Sequence, residues 1–214
     1  MTSSSGPWTL EKSVSAHFAP SLRKLGFTGS GRSFRRVSGD LVHVVQLQGS
    51  RFGGQFAVNL GLHPLGIFDV TGRFPDPRRI KEYECEFRQR LAESGSDQWW
   101  PHDDTKESMD AAVAEAARVY AQFGEDKFIN QSSPDSPLFT VTAAQYEREE
   151  FNFSGFASSG PRMTRMLAMM RFLAGQLDES KAFAQLGMKE AGPSWSRLND
   201  LTDLANGTWT PPTS

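Results

Sequence analysis

One cysteine in 214 residues, Cys85, has no partner for an internal disulfide, and such a chain suits a reducing compartment. No run of about 18 apolar residues occurs, which excludes an α-helical membrane span. The opening Met1-Thr2-Ser3-Ser4-Ser5-Gly6-Pro7 lacks the basic start and apolar stretch of a secretory signal. These absences predict a cytoplasmic protein. The four histidines, His17, His43, His63 and His102, form no His-x-x-x-His pair and none stands beside a second cysteine, so zinc spacing is absent. Gly29-Ser30-Gly31 follows a helix and opens a strand, the reverse of a phosphate loop. No motif calls for a cofactor or places a nucleophile.

What is there describes an ordinary globular chain. Hydrophobic residues make up 38%, charged residues 22%, and the mean hydropathy is −0.46. The length suits one domain with a helical appendage. Net charge is −2 but unevenly spread: residues 1–60 hold seven Lys/Arg against two acidic residues, the remainder 16 against 23. A solvated surface explains the imbalance, and so does an anionic partner for the basic end.

Three runs predict a hairpin sheet. Residues 33–37, 41–48 and 55–62 are rich in Val, Leu and Phe, with Gly39 set for the positive φ of a tight turn. In the third run Phe56, Val58, Leu60 and Leu62 alternate with Gln55, Ala57, Asn59 and Gly61, which places one face on a core. A fourth strand is expected over 82–91, with Tyr83, Cys85, Phe87 and Leu91 inward and Glu82, Glu84 and Glu86 in a water-facing row. The twenty-residue loop before it, with Pro64, Pro75 and Pro77, is long for a plain connector. An apolar stripe (Leu10, Val14, Phe18, Leu22, Leu25) predicts a helix over 9–25, kinked by Pro20 and closed by Gly26. A second helix is expected over 105–123, ended by Gly124. The fold class is therefore α+β: a four-stranded, mainly antiparallel sheet flanked by helices, with a C-terminal helical region. Residues 1–130 form the α+β domain, 131–137 a polar, proline-marked linker, and 138–214 the helical part.

Leu22-Arg23-Lys24-Leu25-Gly26-Phe27, Gly31-Arg32-Ser33-Phe34-Arg35-Arg36, Val42-His43-Val44-Val45-Gln46-Leu47-Gln48, Phe56 to Leu62, Tyr83-Glu84-Cys85 and Asp97-Gln98-Trp99-Trp100 occur in that order. Over about residues 8–130 the chain resembles the bacterial family called domain of unknown function 4304. The resemblance implies a small α+β domain and brings no established activity and no catalytic residues.

The chemical candidates are few. His43 sits mid-strand and reads as a hydrogen-bonded core histidine rather than a base. His102-Asp103-Asp104 reads as a polar helix entry or as an imidazole with two carboxylates for a cation. Cys85, turned inward, is a small apolar group. Two surfaces remain for binding: the arginines Arg32, Arg35, Arg36 and Arg51 near the first hairpin, and Trp99-Trp100 beside the long loop. The leading expectation is a non-enzymatic cytoplasmic protein acting by protein–protein contact, an immunity or antitoxin role being one subtype. Single-stranded nucleic acid on the basic hairpin is the first alternative, against a pI of about 6.1. The second is a small ligand, or an unrecognised enzymatic substrate, between the sheet and the long loop, with His43, Gln46 and Asn59 as its pocket.

Overall fold

A computed structural model describes residues 8–69, 71–95, 97–103, 105–192 and 199–211. Asp104 and Leu198, the latter expected in a last helix, lie outside them.

The Thr9 hydroxyl accepts the Lys12 amide and opens α1 (Leu10–Ser13). A π-helical turn (Val14–Phe18) then leads into α2 (Ala19–Lys24). The widened turn is how the helix meets Pro20, which has no amide for the carbonyl four residues back. Gly26, at φ 84°, ends the helix as its sequence predicts, and Phe27 N donates to Leu22 O at 3.0 Å.

The sheet runs β1 (Thr28–Ser30), β2 (Ser33–Ser38), β3 (Leu41–Gly49), β4 (Gln55–Pro64), β5 (Phe87–Arg90), each antiparallel to its neighbour. A sixth strand, β6 (Trp100–Pro101), pairs with the start of β4. The four strands expected thus become six, the additions being three and two residues long. On one face Phe34, Val45, Leu47, Val58, Leu60 and Leu62 are buried with Phe18 and Leu22 of the N-terminal helix. α3 (Lys106–Val119) completes that layer with Val113 and Ala116.

Gly124 does not end this second helix. A π-helical turn (Tyr120–Gly124) carries it into α4 (Glu125–Ser132). A Cβ on Gly124 would lie 2.5 Å from the Tyr120 ring, so glycine serves close packing here rather than a cap. Gln131 and Ser132 finish α4, and Pro137 starts α5 (Pro137–Thr140). Thr142 and Gln145 form a capping box that opens α6 (Ala143–Glu147).

Pro161 sits in the first turn of α7 (Gly160–Leu173), which packs on α8 (Leu177–Ala191) and α9 (Asn199–Asn206). Met163, Met166, Met169 and Met170 are all core. These helices share one apolar cluster with the sheet. Trp209 joins them, its ring 6.0 Å from Phe68 of the long loop and 4.9 Å from Phe172.

The segment before β5 corrects the expected fourth strand. Glu82–Glu84 form a 3₁₀ turn, and pairing begins only at Phe87. Three residues per turn bring Glu82 and Cys85 to one side and turn Tyr83 outward. Tyr83 is 62% exposed, while Glu82 and Glu86, expected in water, are 9% and 1% exposed.

Candidate functional site

The sheet's second face carries Ser33 and Arg35 of β2, Val42, Val44, Gln46 and Gln48 of β3, Asn59 and Gly61 of β4, and Arg88 and Arg90 of β5. Residues 80–85 cross it as a strap. Ile80 and Cys85 pack on Val42 and Val44 as a small apolar cluster. Arg35 Nε donates to Ile80 O at 2.6 Å, and Glu82 N donates to Gln46 Oε1 at 3.3 Å. A Cβ on Gly61 would sit 2.7 Å from Cys85 Sγ, so the strap lies this low only over glycine. Burial raises the Cys85 thiol well above its ordinary pKa, which makes it inert as a nucleophile.

The strap divides the face into two clefts. The first, of about 410 Å³, has Arg35 as its floor and Arg78, Arg79, Lys81 and Tyr83 around it. Arg35 is 9% exposed. Its guanidinium donates to Ile80 O and to Ser33 Oγ (2.8 Å), and no carboxylate of the described residues lies within 4.0 Å. Burial pushes its pKa down, offset in part by nearby acidic groups, Glu84 and Asp76 among them. Those two carboxylates also line the cleft but are occupied with the loop's own backbone. Asp76 accepts the Arg78 amide at 2.8 Å and Glu84 the Lys81 amide at 2.6 Å.

The second cleft, of about 480 Å³, lies on the β4–β5 side. Asn59 forms its floor, donating to Gln48 Oε1 (2.8 Å) and accepting from Arg90 Nε (3.2 Å). Arg90 also pairs with Asp97, and Arg162 with Glu86 at 3.0 Å. Glu82 lines the cleft with no hydrogen bond or ion pair to its carboxylate among the described residues, and burial raises its pKa against the opposing fields of Arg88 and Arg90. Deeper under the loop, Glu86 Oε1 and His63 Nδ1 are buried without a partner among the described residues. Burial raises the Glu86 carboxyl and lowers the His63 imidazole.

The residues singled out from sequence do not gather in one place. Arg32 pairs with Glu11 at 2.9 Å and Arg36 with Glu125 at 2.6 Å. Arg35 is on the opposite face from Arg36, and Arg51 stacks at 4.6 Å on the exposed Phe52 at a hairpin tip. Trp100 is core, stacked on Phe56 at 5.8 Å. Trp99 is half-buried, with the Arg90 guanidinium 4.7 Å from its ring. Gln46 and Asn59 face each other across β3 and β4, but His43 points to the helix side and does not join them. His43 stacks on Phe128 at 4.5 Å. Its Nδ1 accepts from Arg36 Nε (3.1 Å), so Nε2 carries the proton toward Ser132 Oγ (2.8 Å). Burial, with the Arg36 charge, pushes its pKa down to about 3. It is the satisfied core histidine its strand position predicts. Asp103 accepts from Thr105 N and Oγ1 at the helix entry, and no group of three metal-ligating side chains occurs among the described residues.

The sequence reading missed Glu82, Arg88, Arg162 and the loop cations. Arg78-Arg79-Ile80-Lys81, three cations in four residues within a loop already marked as too long, was the available signal.

This is an α+β protein with an antiparallel sheet, covered by helices on one face and strapped by a loop on the other. Residues 18–120 match the family model described as Domain of unknown function (DUF4304), the family that the order of sequence motifs resembles. No curated protein and no solved structure matches the chain. No helix among the described residues is long and apolar enough to cross a membrane.

Proposed function

We propose a non-enzymatic binding protein that acts by protein–protein contact, with the Arg35 cleft taking an acidic segment of its partner. One observation carries this reading: Arg35 is nine-tenths buried, bonded only to neutral acceptors, and opens on a cleft rimmed by Arg78, Arg79 and Lys81. Those three rim cations make no side-chain ion pair with the described residues. A buried charge without a counter-charge costs several kcal/mol. A carboxylate from outside supplies that counter-charge, in the paired geometry guanidinium favours. Tyr83 adds a flat, half-polar surface of the kind that anchors interfaces. Neutralising a toxic protein in a bacterial cytoplasm is a narrower form of the same reading.

The nucleic-acid reading has less behind it, because Arg32 and Arg36 are paired with Glu11 and Glu125. Fluorescence anisotropy with a glutamate-rich peptide, a lysine-rich peptide and a single-stranded oligonucleotide tests the choice. The acidic peptide should bind, and the exposed double variant Arg78→Glu/Lys81→Glu should weaken it about tenfold or more with melting unchanged. Failure of the acidic peptide to bind, or indifference to the double variant, overturns the proposal. Preference for the oligonucleotide transfers it to nucleic acid.

A further inference from the structure

The second cleft has a charge pattern that neither a simple anion nor a simple cation satisfies. Glu82 is 9% exposed, lines the cleft, and has neither a hydrogen bond nor an ion pair to its carboxylate among the described residues. Arg88, on β5 next to Gly61 over which Glu82 lies, is exposed, and its side chain makes no hydrogen bond or ion pair with the described residues. Beside it α7 begins. Ser159 occupies the N-cap position without a side-chain capping bond, and neither its hydroxyl nor that of Ser158 has a partner among the described residues. A fourteen-residue helix presents partial positive charge at that end.

We infer that this cleft binds a small zwitterion of the α-amino acid type, its ammonium on Glu82 and its carboxylate on Arg88 and the α7 N-terminus. An anion alone leaves Glu82 with no contacting partner, only the more distant fields of Arg88 and Arg90. A cation alone enters a site bounded by Arg88, Arg90 and Arg162. A molecule carrying both charges a few ångströms apart answers both sides. The cleft volume of about 480 Å³ is enough for a free amino acid. Gln48 and Asn59 on the floor favour a polar side chain over an apolar one.

The test uses the intact protein and a panel of free amino acids, each paired with its N-acetyl and its carboxamide form, followed by thermal shift and by titration. At least one free amino acid should raise the melting temperature saturably. Blocking either end should weaken it about tenfold or more. Arg88→Ala, a surface change that leaves the fold intact, and Glu82→Gln should each reproduce the loss seen on blocking the end they meet. Absence of binding by every free amino acid overturns the inference. So does equal binding of the N-acetyl form, or unchanged affinity in both variants. Arg78→Glu/Lys81→Glu leaves this titration unchanged, so the outcome at the Arg35 cleft is read separately.

Discussion

Arg35 and Arg36 are adjacent on β2, and the two-residue period of a strand sends them to opposite faces. On the helix face, Arg36 meets Glu125, the Leu25 carbonyl and His43, and lies 4.5 Å from the Phe27 ring. His43 passes the network on to Ser132, whose hydroxyl donates to Phe128 O. On the strap face, no carboxylate of the described residues lies within 4.0 Å of the Arg35 guanidinium, though Glu84 and Asp76 act on it from across the cleft. No cation of the described residues lies within ion-pair distance of the Glu82 carboxylate. The same residue types therefore pair internally on the helix side of the sheet, while on the strap side Arg90 and Arg162 are paired and Arg35 and Glu82 are not. Internal pairing makes a side chain structural. Incomplete pairing in a concave, partly wet site is the observation on which both binding proposals rest.

The sharpest way to separate the faces is with acid. Folded His43 refuses the proton down to about pH 3, whereas the unfolded chain takes it near 6.5. The unfolded state thus binds more protons across that window, and stability falls as pH drops through it by roughly 1.4 kcal/mol per unit. Urea unfolding of the wild type and of His43→Asn between pH 6 and 4 should show a shallower slope in the variant. Equal slopes would remove His43 from the acid response.

Gly61→Ala tests the strap by contact. The new methyl meets Cys85 Sγ at 2.7 Å, and overpacking of this kind costs about 1–3 kcal/mol. Cys85, buried in the wild type, should then react measurably faster with an aromatic disulfide reagent. Unchanged protection would mean that the strap yields without lifting.

Glu82→Gln should act in the opposite direction to an ordinary core change. A carboxyl whose folded pKa is raised binds its proton more tightly folded than unfolded, so it lowers stability as pH rises above the ordinary carboxylate value. Removing the charge should stabilise the protein near pH 8 by about 1 kcal/mol, with the gain shrinking toward pH 5. A loss at pH 8 would show that Glu82 is internally compensated. The smallest effect belongs to Phe52→Ser at the hairpin tip, where 83% exposure predicts a change within about 0.5 kcal/mol in a thermal melt.

The legible parts of the sequence are those where periodicity and partner lie close together. Leu60 and Val58 reveal their face because the alternation runs through all of β4, and Gly26 reveals a cap because the stripe stops there. β1 and β6 are too short to alternate. The strap misled for a different reason. Tyr83, Cys85 and Phe87 alternate with glutamates as a half-buried strand would, yet one 3₁₀ turn shifts the phase and exchanges inside for outside. What holds those glutamates is remote: Glu82 N reaches Gln46 across 36 positions and Glu86 reaches Arg162 across 76. Arg35 and Asn59 were visible as candidates. That they look into separate clefts depended on the strap, and no local pattern encodes it.

The turn of Glu82–Glu84 stands between those clefts as a party wall, Glu82 facing one side and Tyr83 and Glu84 the other. An occupant of one cleft that shifts this turn alters the other cleft with it, and an occupant that leaves it in place does not. Whatever factor an occupant of one cleft imposes on affinity in the other, the second occupant returns by the same factor.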